Sequence, residues 1–130
     1  MNENEAYKSG LAMRKKVLGE DYVNGAMANL NAFSEPLQQF VTEHAWGNVW
    51  IRPGLDLKTR SILNLGILIA SNRPHELKIH LKGAINNGVT KEEMVEIFLQ
   101  SGVYVGAPAA MDAFRLAKEV FADMGIDVSM

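Results

Sequence analysis

Apolar positions along this chain recur three and four residues apart, and no stretch alternates every second residue between hairpin turns, so the pattern predicts an all-α protein. A first helix is expected from about Glu3 to Leu18, with Ala6, Gly10, Met13 and Val17 on one face and Gly19 as its stop. A short piece, Asp21 to Asn31, adds one or two turns. A second helix starts near Ser34, whose hydroxyl can cap it, with Glu35 and Pro36 in the first turn, where a missing N–H costs nothing. It carries Leu37, Phe40 and Val41 toward Trp46, and Gly47 or Pro53 is expected to end it. Asp56 is a fair N-cap for a third helix, Leu57 to about Ser71. A fourth opens at Asn72 and Pro74 and runs to Asn87, with Gly88 as its left-handed cap. Thr90-Lys-Glu-Glu93 reads as the capping box of a fifth, which places Met94, Ile97, Phe98 and Val105 on one face. Gly106 and Pro108 then break the chain. A last helix repeats Ala110, Phe114, Ala117 and Phe121, leaving Asp112, Arg115, Lys118 and Glu119 on a solvated outer side.

The third of these helices is unusual. From Ile62 to Ala70 it is apolar on nearly every face, and such a helix must be covered all round. A chain of 130 residues has few other elements to do this, so part of the cover is expected from another subunit. No linker or repeat interrupts the chain, and one domain over 1–130 is expected, burying roughly two thirds of its unfolded surface.

Composition narrows the function. At 48% apolar and 22% charged the balance is that of a globular protein, which excludes a disordered tail. Thirteen Lys and Arg against fifteen Asp and Glu leave a net charge of −2, so nucleic acid is not the expected partner. Apolar runs such as Leu65 to Ala70 fall far short of the about 18 residues a membrane span needs. The start, Met1-Asn-Glu-Asn-Glu, is acidic and unlike a secretory or mitochondrial leader, and a cytoplasmic protein is expected. The absence of cysteine excludes disulfides, thiolate metal sites, Fe–S clusters and thiol nucleophiles.

Nucleotide-binding loops and the G-x-S-x-G elbow are both absent. His44, His75 and His80 lack metal-ligand spacing, and on one helix His75 and His80 point about 140° apart, so no metal is expected. Two clusters remain. One is the run from Glu43 and His44 through Trp46, Trp50 and Arg52; in a continuous α-helix, Glu43, Trp46 and Trp50 share a face. Flat apolar walls with a few placed polar groups suit a small-molecule pocket, though the same tryptophans also fit a core with solvated charges around them. The other cluster pairs Arg60 with Asn64, a polar stripe on the apolar third helix, and Glu76 with His80, each four residues apart. A carboxylate one turn from an imidazole favours its protonated form and fixes its orientation, and a solvated Glu–His pair is the alternative.

The run His44-Ala-Trp-Gly-Asn-Val-Trp-Ile-Arg-Pro-Gly-Leu-Asp56, then Arg60-Ser61, Ile69-Ala-Ser-Asn-Arg73, Glu76, His80 and Gly106-Ala-Pro-Ala-Ala110 closely resembles the γ-carboxymuconolactone decarboxylases, over nearly the whole chain from Tyr7 to Phe121. The resemblance implies an antiparallel array of about six helices, of the alkylhydroperoxidase-like kind, assembled into ring-shaped hexamers. It also separates two branches. The related alkylhydroperoxidases carry Cys-x-x-Cys followed four residues on by His; aligned on His80, the cysteine positions here are Arg73 and Glu76.

What the resemblance implies is decarboxylation of 4-carboxymuconolactone to β-ketoadipate enol-lactone in protocatechuate catabolism. Loss of CO2 from the ring carbon γ to the lactone carbonyl leaves an electron pair that the ring double bond conjugates onto the carbonyl oxygen, so no cofactor is expected. Arg60 and Arg52 would hold the remaining acetate carboxylate and stabilise the oxyanion, with Asn64 beside Arg60. Trp46 and Trp50 would wall the departing carboxylate from water. His80, oriented by Glu76, is the first choice for the acid that protonates the ring carbon, with His44 second and Glu43 positioning a histidine or water. Two other readings fit the residues: a decarboxylase or isomerase of a related lactone or β-keto acid, and a catalytically idle oligomeric binding protein.

Overall fold

A computed structural model describes residues 2–129. Met1, which begins the acidic stretch read as non-leader, lies outside the described residues, as does the last residue of the 1–130 domain. Among the described residues there is no strand. Seven α-helices follow in order: α1 (Glu5–Leu18), α2 (Glu20–Ala28), α3 (Glu35–Val41), then a π-helical segment (Thr42–Trp50), α4 (Leu57–Ala70), α5 (Pro74–Asn86), α6 (Lys91–Val105) and α7 (Ala107–Asp123). The count exceeds the expected six because the piece after Gly19 is a complete helix of its own. Backbone contacts gather these elements into two compact units that divide after Leu57.

In the first unit, α1 starts at Glu5 rather than Glu3, because the Asn4 side chain caps it by accepting the Tyr7 N–H at 2.8 Å. Ser34 does not cap α3 as expected. That work falls to Asn31, whose side-chain oxygen accepts the N–H groups of Phe33 and Ser34. Beyond α3 the helix does not stop at Gly47 but widens into the i→i+5 π form and runs to Trp50.

Gly47 has another role. A Cβ built on it would lie 2.1 Å from the carbonyl oxygen of Ala6, and one built on Gly10 would lie 2.0 Å from the carbonyl oxygen of Thr42. Only glycine lets the two helices approach so closely. Partners ascend on α1 as they descend on the other helix, Ala6 with Gly47, Gly10 with Thr42 and Arg14 with Gln38, so the pair is antiparallel. This register turns Gln38 and Thr42 toward α1. Leu37 and Phe40 then fall on the other side and are exposed, against the expectation that they reach toward Trp46.

The second unit is built around α7, which packs on α5 and α6. Leu81, Met94 and Phe98 are wholly buried, with Leu65 and Ile69 of α4 joining the same core, and the Phe98 and Phe114 rings meet edge to face at 5.1 Å. Thr90 and Glu93 form the expected capping box: the hydroxyl accepts the Glu93 N–H and the carboxylate accepts the Thr90 N–H. Gly88 has the left-handed φ of +91° that the sequence required of it. Pro108 does not break the chain; Gly106, at φ +109°, ends α6 and leads directly into α7, where Pro108 sits in the first turn.

Only the Ser61, Leu65 and Ile69 stripe of α4 is buried; Leu63 and Ile67 on its other side are exposed. Val105, predicted on the same face of α6 as Met94, Ile97 and Phe98, is exposed, because the helix is in its last turn there; Met94 and Phe98 are buried in the core and Ile97 packs against it. Val103 and Tyr104 beside it are 82% and 83% exposed. An apolar groove of about 430 Å³ runs between α4 and α6 past Leu63, Ile67 and Tyr104.

Gly10→Ala should destabilise the protein by about 1–3 kcal/mol in a denaturant titration, because the added methyl meets backbone that cannot step aside. Gly25→Ala is the matched control: its Cβ meets nothing within 4 Å, so the change should be neutral or stabilising by up to about 1 kcal/mol. At the capping box, the Thr90 N–H and the Lys58 ammonium hold the Glu93 carboxyl below its ordinary pKa. Its contribution is therefore complete above the ordinary carboxylate range and is lost as pH falls through the lower folded value. Glu93→Gln should remove that part of the acid sensitivity, read as a flatter dependence of the thermal midpoint on pH.

Candidate active site

The expected site residues fall in both units. In the first, Trp46 and Trp50 are buried and their rings stack, with centroids 4.8 Å apart and planes inclined by 24°. The π segment gives them this relation from a spacing of four residues. It also parts them from Glu43. Seven residues make two turns of an α-helix but fall well short of two turns of a wider π-helix, so Glu43 and Trp50 do not return to one face. The Glu43 carboxylate instead accepts hydrogen bonds from the side-chain amides of Asn4 and Gln39, tying the start of the chain to the π segment.

His44 is exposed and lies against Phe40, ring centroids 4.7 Å apart, with the Asn48 amide 3.4 Å from its Nδ1. Arg52 is exposed beyond the end of the π segment.

In the second unit, Arg60 and Asn64 are both half-buried one turn apart on α4, which holds them on the polar margin of an apolar helix. Ser61, next to Arg60, is buried and accepts a hydrogen bond from the Asn87 amide at 2.9 Å. His80 is half-buried on α5. Glu76 is exposed in the first turn of that helix, and its carboxylate lies 3.9 Å from the ring of the neighbouring His75. A first helical turn suits a carboxylate, since the helix dipole favours negative charge there. Among the described residues, no group of three or more His, Asp or Glu side chains gathers as a metal ion would need.

One charged residue escaped the reading of the sequence. Arg14 is only 6% exposed, buried between α1 and α3. Its Nη1 donates to the side-chain oxygen of Gln38 at 2.7 Å, while its Nε–H meets no acceptor. Burial pulls its pKa below the ordinary guanidinium value, and Tyr22 and Tyr7 act the other way. Thr42, one turn beyond Gln38, is fully buried and its hydroxyl also has no partner. The signal was present: Tyr7, Gly10, Arg14 and Val17 follow each other at spacings of three, four and three, the buried seam of α1. Charge alone argued for the surface.

Comparison with known proteins meets this arrangement across almost its full length. Residues 35–119 match the carboxymuconolactone decarboxylase family. A 4-carboxymuconolactone decarboxylase of Acinetobacter baylyi is 47% identical over 126 residues, which is 97% of this chain and 94% of that protein. A nitrosuccinic acid decarboxylase of Metarhizium robertsii is 45% identical over 118 residues, 91% of this chain and 82% of that protein. A 4-carboxymuconolactone decarboxylase of Pseudomonas putida is 35% identical over 48 residues, 37% of this chain and the whole of that sequence. An all-helical chain with a paired-tryptophan π segment, an Arg–Asn stripe and a half-buried histidine, matched at this identity over this length, belongs to the carboxymuconolactone decarboxylase family.

Proposed function

We propose that this chain is a carboxy-lyase that converts 4-carboxymuconolactone to β-ketoadipate enol-lactone and CO2, in the cytoplasm and within protocatechuate catabolism. The observation that carries this reading is the 47% identity to a 4-carboxymuconolactone decarboxylase over 97% of the chain.

The chemistry asks little of the protein. As the bond to the γ-carboxylate breaks, its electron pair enters the ring and passes through the double bond to the lactone carbonyl oxygen. The resulting dienolate then takes a proton at the carbon next to the carbonyl. The substrate is its own electron sink, so the reading needs no cofactor. Three tasks remain. Arg60 and Arg52 would take the retained acetate carboxylate and the developing oxyanion, with Asn64 one turn from Arg60 as a further donor. The stacked pair Trp46 and Trp50 would offer the departing carboxylate an apolar surface, which favours neutral CO2 over the anion. His80 would deliver the proton, with Glu76 as its orienting carboxylate and His44 as the second choice. Glu43, already engaged by Asn4 and Gln39, would act by fixing the π segment that carries His44 and the tryptophans.

A second substrate has an observation of its own, the 45% identity to a nitrosuccinic acid decarboxylase. The two acids share a plan. Each carries the departing carboxylate on a carbon joined to an electron acceptor, a conjugated lactone in one and a nitro group in the other. Each keeps a CH2-carboxylate on that same carbon.

We place the active form in a ring-shaped homo-oligomer. Leu63 and Ile67 of α4 and Tyr104 and Val105 of α6 line an exposed apolar groove, and a second copy of the chain is its proposed cover.

Purified protein should abolish the ultraviolet absorbance of the lactone and release one CO2 per lactone consumed; silence with that substrate, and turnover of nitrosuccinate instead, would move the assignment to the second acid. His80→Ala should lower kcat by on the order of 100-fold, against less than about tenfold for His44→Ala, and the reverse ranking would exchange their roles. In light scattering the wild type should run as a multimer and Leu63→Asp/Ile67→Asp as a smaller particle. An unchanged mass for the double variant would put the interface elsewhere.

A further inference from the structure

Arg14 presents a cost with no visible return. A buried guanidinium is strongly disfavoured unless an anion faces it, and an apolar side chain of similar volume would hold two helices together at least as well. Yet the side chain is 6% exposed and its hydrogen-bond partner is the neutral amide of Gln38. The way that bond is made is informative. Gln38 takes Nη1, which fixes the guanidinium plane and leaves the opposite edge, Nε with Nη2, as the unused bidentate face. That edge is the one that matches the two oxygens of a carboxylate. The Thr42 hydroxyl, buried and without an acceptor, belongs to the same seam, since Gln38 and Thr42 lie one turn apart and both face α1. One turn further on is Trp46, the first ring of the stacked pair.

The comparisons supply an independent point. The family match begins at Glu35, so α1 is not part of it. The alignment with the Acinetobacter decarboxylase covers 126 of the 130 residues and therefore includes α1. Arg14 thus stands on an element shared with a decarboxylase and lying outside the stretch that defines the family.

We infer that Arg14 is a specificity-determining residue that reads the retained carboxylate of the substrate through its Nε–Nη2 edge, with Gln38 as the residue that positions the guanidinium and the Thr42 hydroxyl as a further donor. The inference rests on the proposed substrate, an acid that keeps one CH2-carboxylate after losing CO2, and it assigns that carboxylate to Arg14, leaving Arg60 and Arg52 with the developing oxyanion. The ligand class is a short aliphatic dicarboxylate, and the selected feature is the charge that survives the reaction.

The test compares the lactone with its analogue in which the acetate carboxylate is masked as a methyl ester, using wild type, Arg14→Lys and Arg14→Gln. Wild type should prefer the free acid by about 100-fold in kcat/KM, mostly through KM. Both variants should lose at least about tenfold of that preference, since lysine keeps the charge without the bidentate edge and glutamine keeps neither. A purely structural Arg14 predicts something different: activity falls equally on both substrates and the preference survives, which overturns the inference and leaves the proposed function standing. Binding of unreactive succinate by equilibrium dialysis separates the two claims. If wild type does not turn over the lactone, the proposed function fails, and loss of succinate binding in Arg14→Lys still supports the carboxylate site. Should both Arg14 variants fail to fold, Gln38→Met, which leaves the guanidinium in place but untethered, should weaken succinate binding. Failure of the wild type to bind succinate, or unaltered binding in whichever variants fold, overturns the assignment.

Discussion

The contact between α1 and the π segment governs the first unit, and it is a contact of backbone on backbone. Gly10 and Gly47 each face a carbonyl oxygen at a distance that no Cβ could share, so the two helices meet at their narrowest point with no side chain between them. Steric exclusion of this kind is sharp. It fixes the register of the pair: with Gly10 against Thr42, the next turn of α1 must bring Arg14 against Gln38, and the previous turn brings Ala6 against Gly47. The register in turn decides which side of α3 is exposed. It also sets the π segment, and with it the tryptophan pair, against a rigid neighbour. The placement of the buried arginine and of the paired rings therefore depends on two glycines.

The parts of the fold that local chemistry dictates were legible in the sequence. The Thr90 and Glu93 capping box, the left-handed Gly88, the starts of α4 and α5 and the incomplete burial of α4 all follow from residues within a few positions of the feature they create. The π segment was not legible in this way. It packs against α1, a partner some thirty residues away in the chain, and a period of 3.6 residues per turn puts Glu43 with Trp50. Gly47 and Pro53 are both predicted stops of this helix; it passes Gly47, which serves close approach instead, and the same residue type carries both meanings. Arg14 was overlooked for a related reason. Its position on the buried seam of α1 was visible, but its charge pointed outward, and only the structure shows which of the two prevails.

Of the candidate site, the sequence identified residue types and neighbours along each helix, and the structure adds how each is held. The aromatic pair is rigid: both rings are buried and stacked, so an apolar wall made from them exists before any ligand arrives. The carboxylates are in the opposite condition. Glu43 is committed to two amides, and Glu76 is exposed at a helix start beside His75. Both acids are either occupied by donors or open to water, where their field is screened. The cations are placed differently: a half-buried Arg60 and a buried Arg14 lie in surroundings where pairing with an anion is stronger than at an open surface.

The missing cysteines acquire a physical meaning at α5. Arg73 is the N-cap of that helix and Glu76 lies in its first turn, the positions at which the resemblance read from the sequence sets the two thiols of the alkylhydroperoxidases. A thiol at a helix start is stabilised as the thiolate, because unsatisfied N–H groups and the helix dipole favour negative charge there, and it is thereby activated for redox work. The same field acts on whatever occupies these positions. Here it meets a carboxylate at Glu76, for which ionisation at neutral pH is the ordinary state, and a guanidinium at Arg73; neither is made reactive by it. Neither residue disturbs the helix: Pro74 opens α5, and Leu77, Leu81 and Ala84 bury its inner face. His80 lies half-buried further along the same helix. A proton donor there would suffice for the proposed reaction, in which the substrate accommodates its own electrons, and would not suffice for one in which electrons must be passed to the protein.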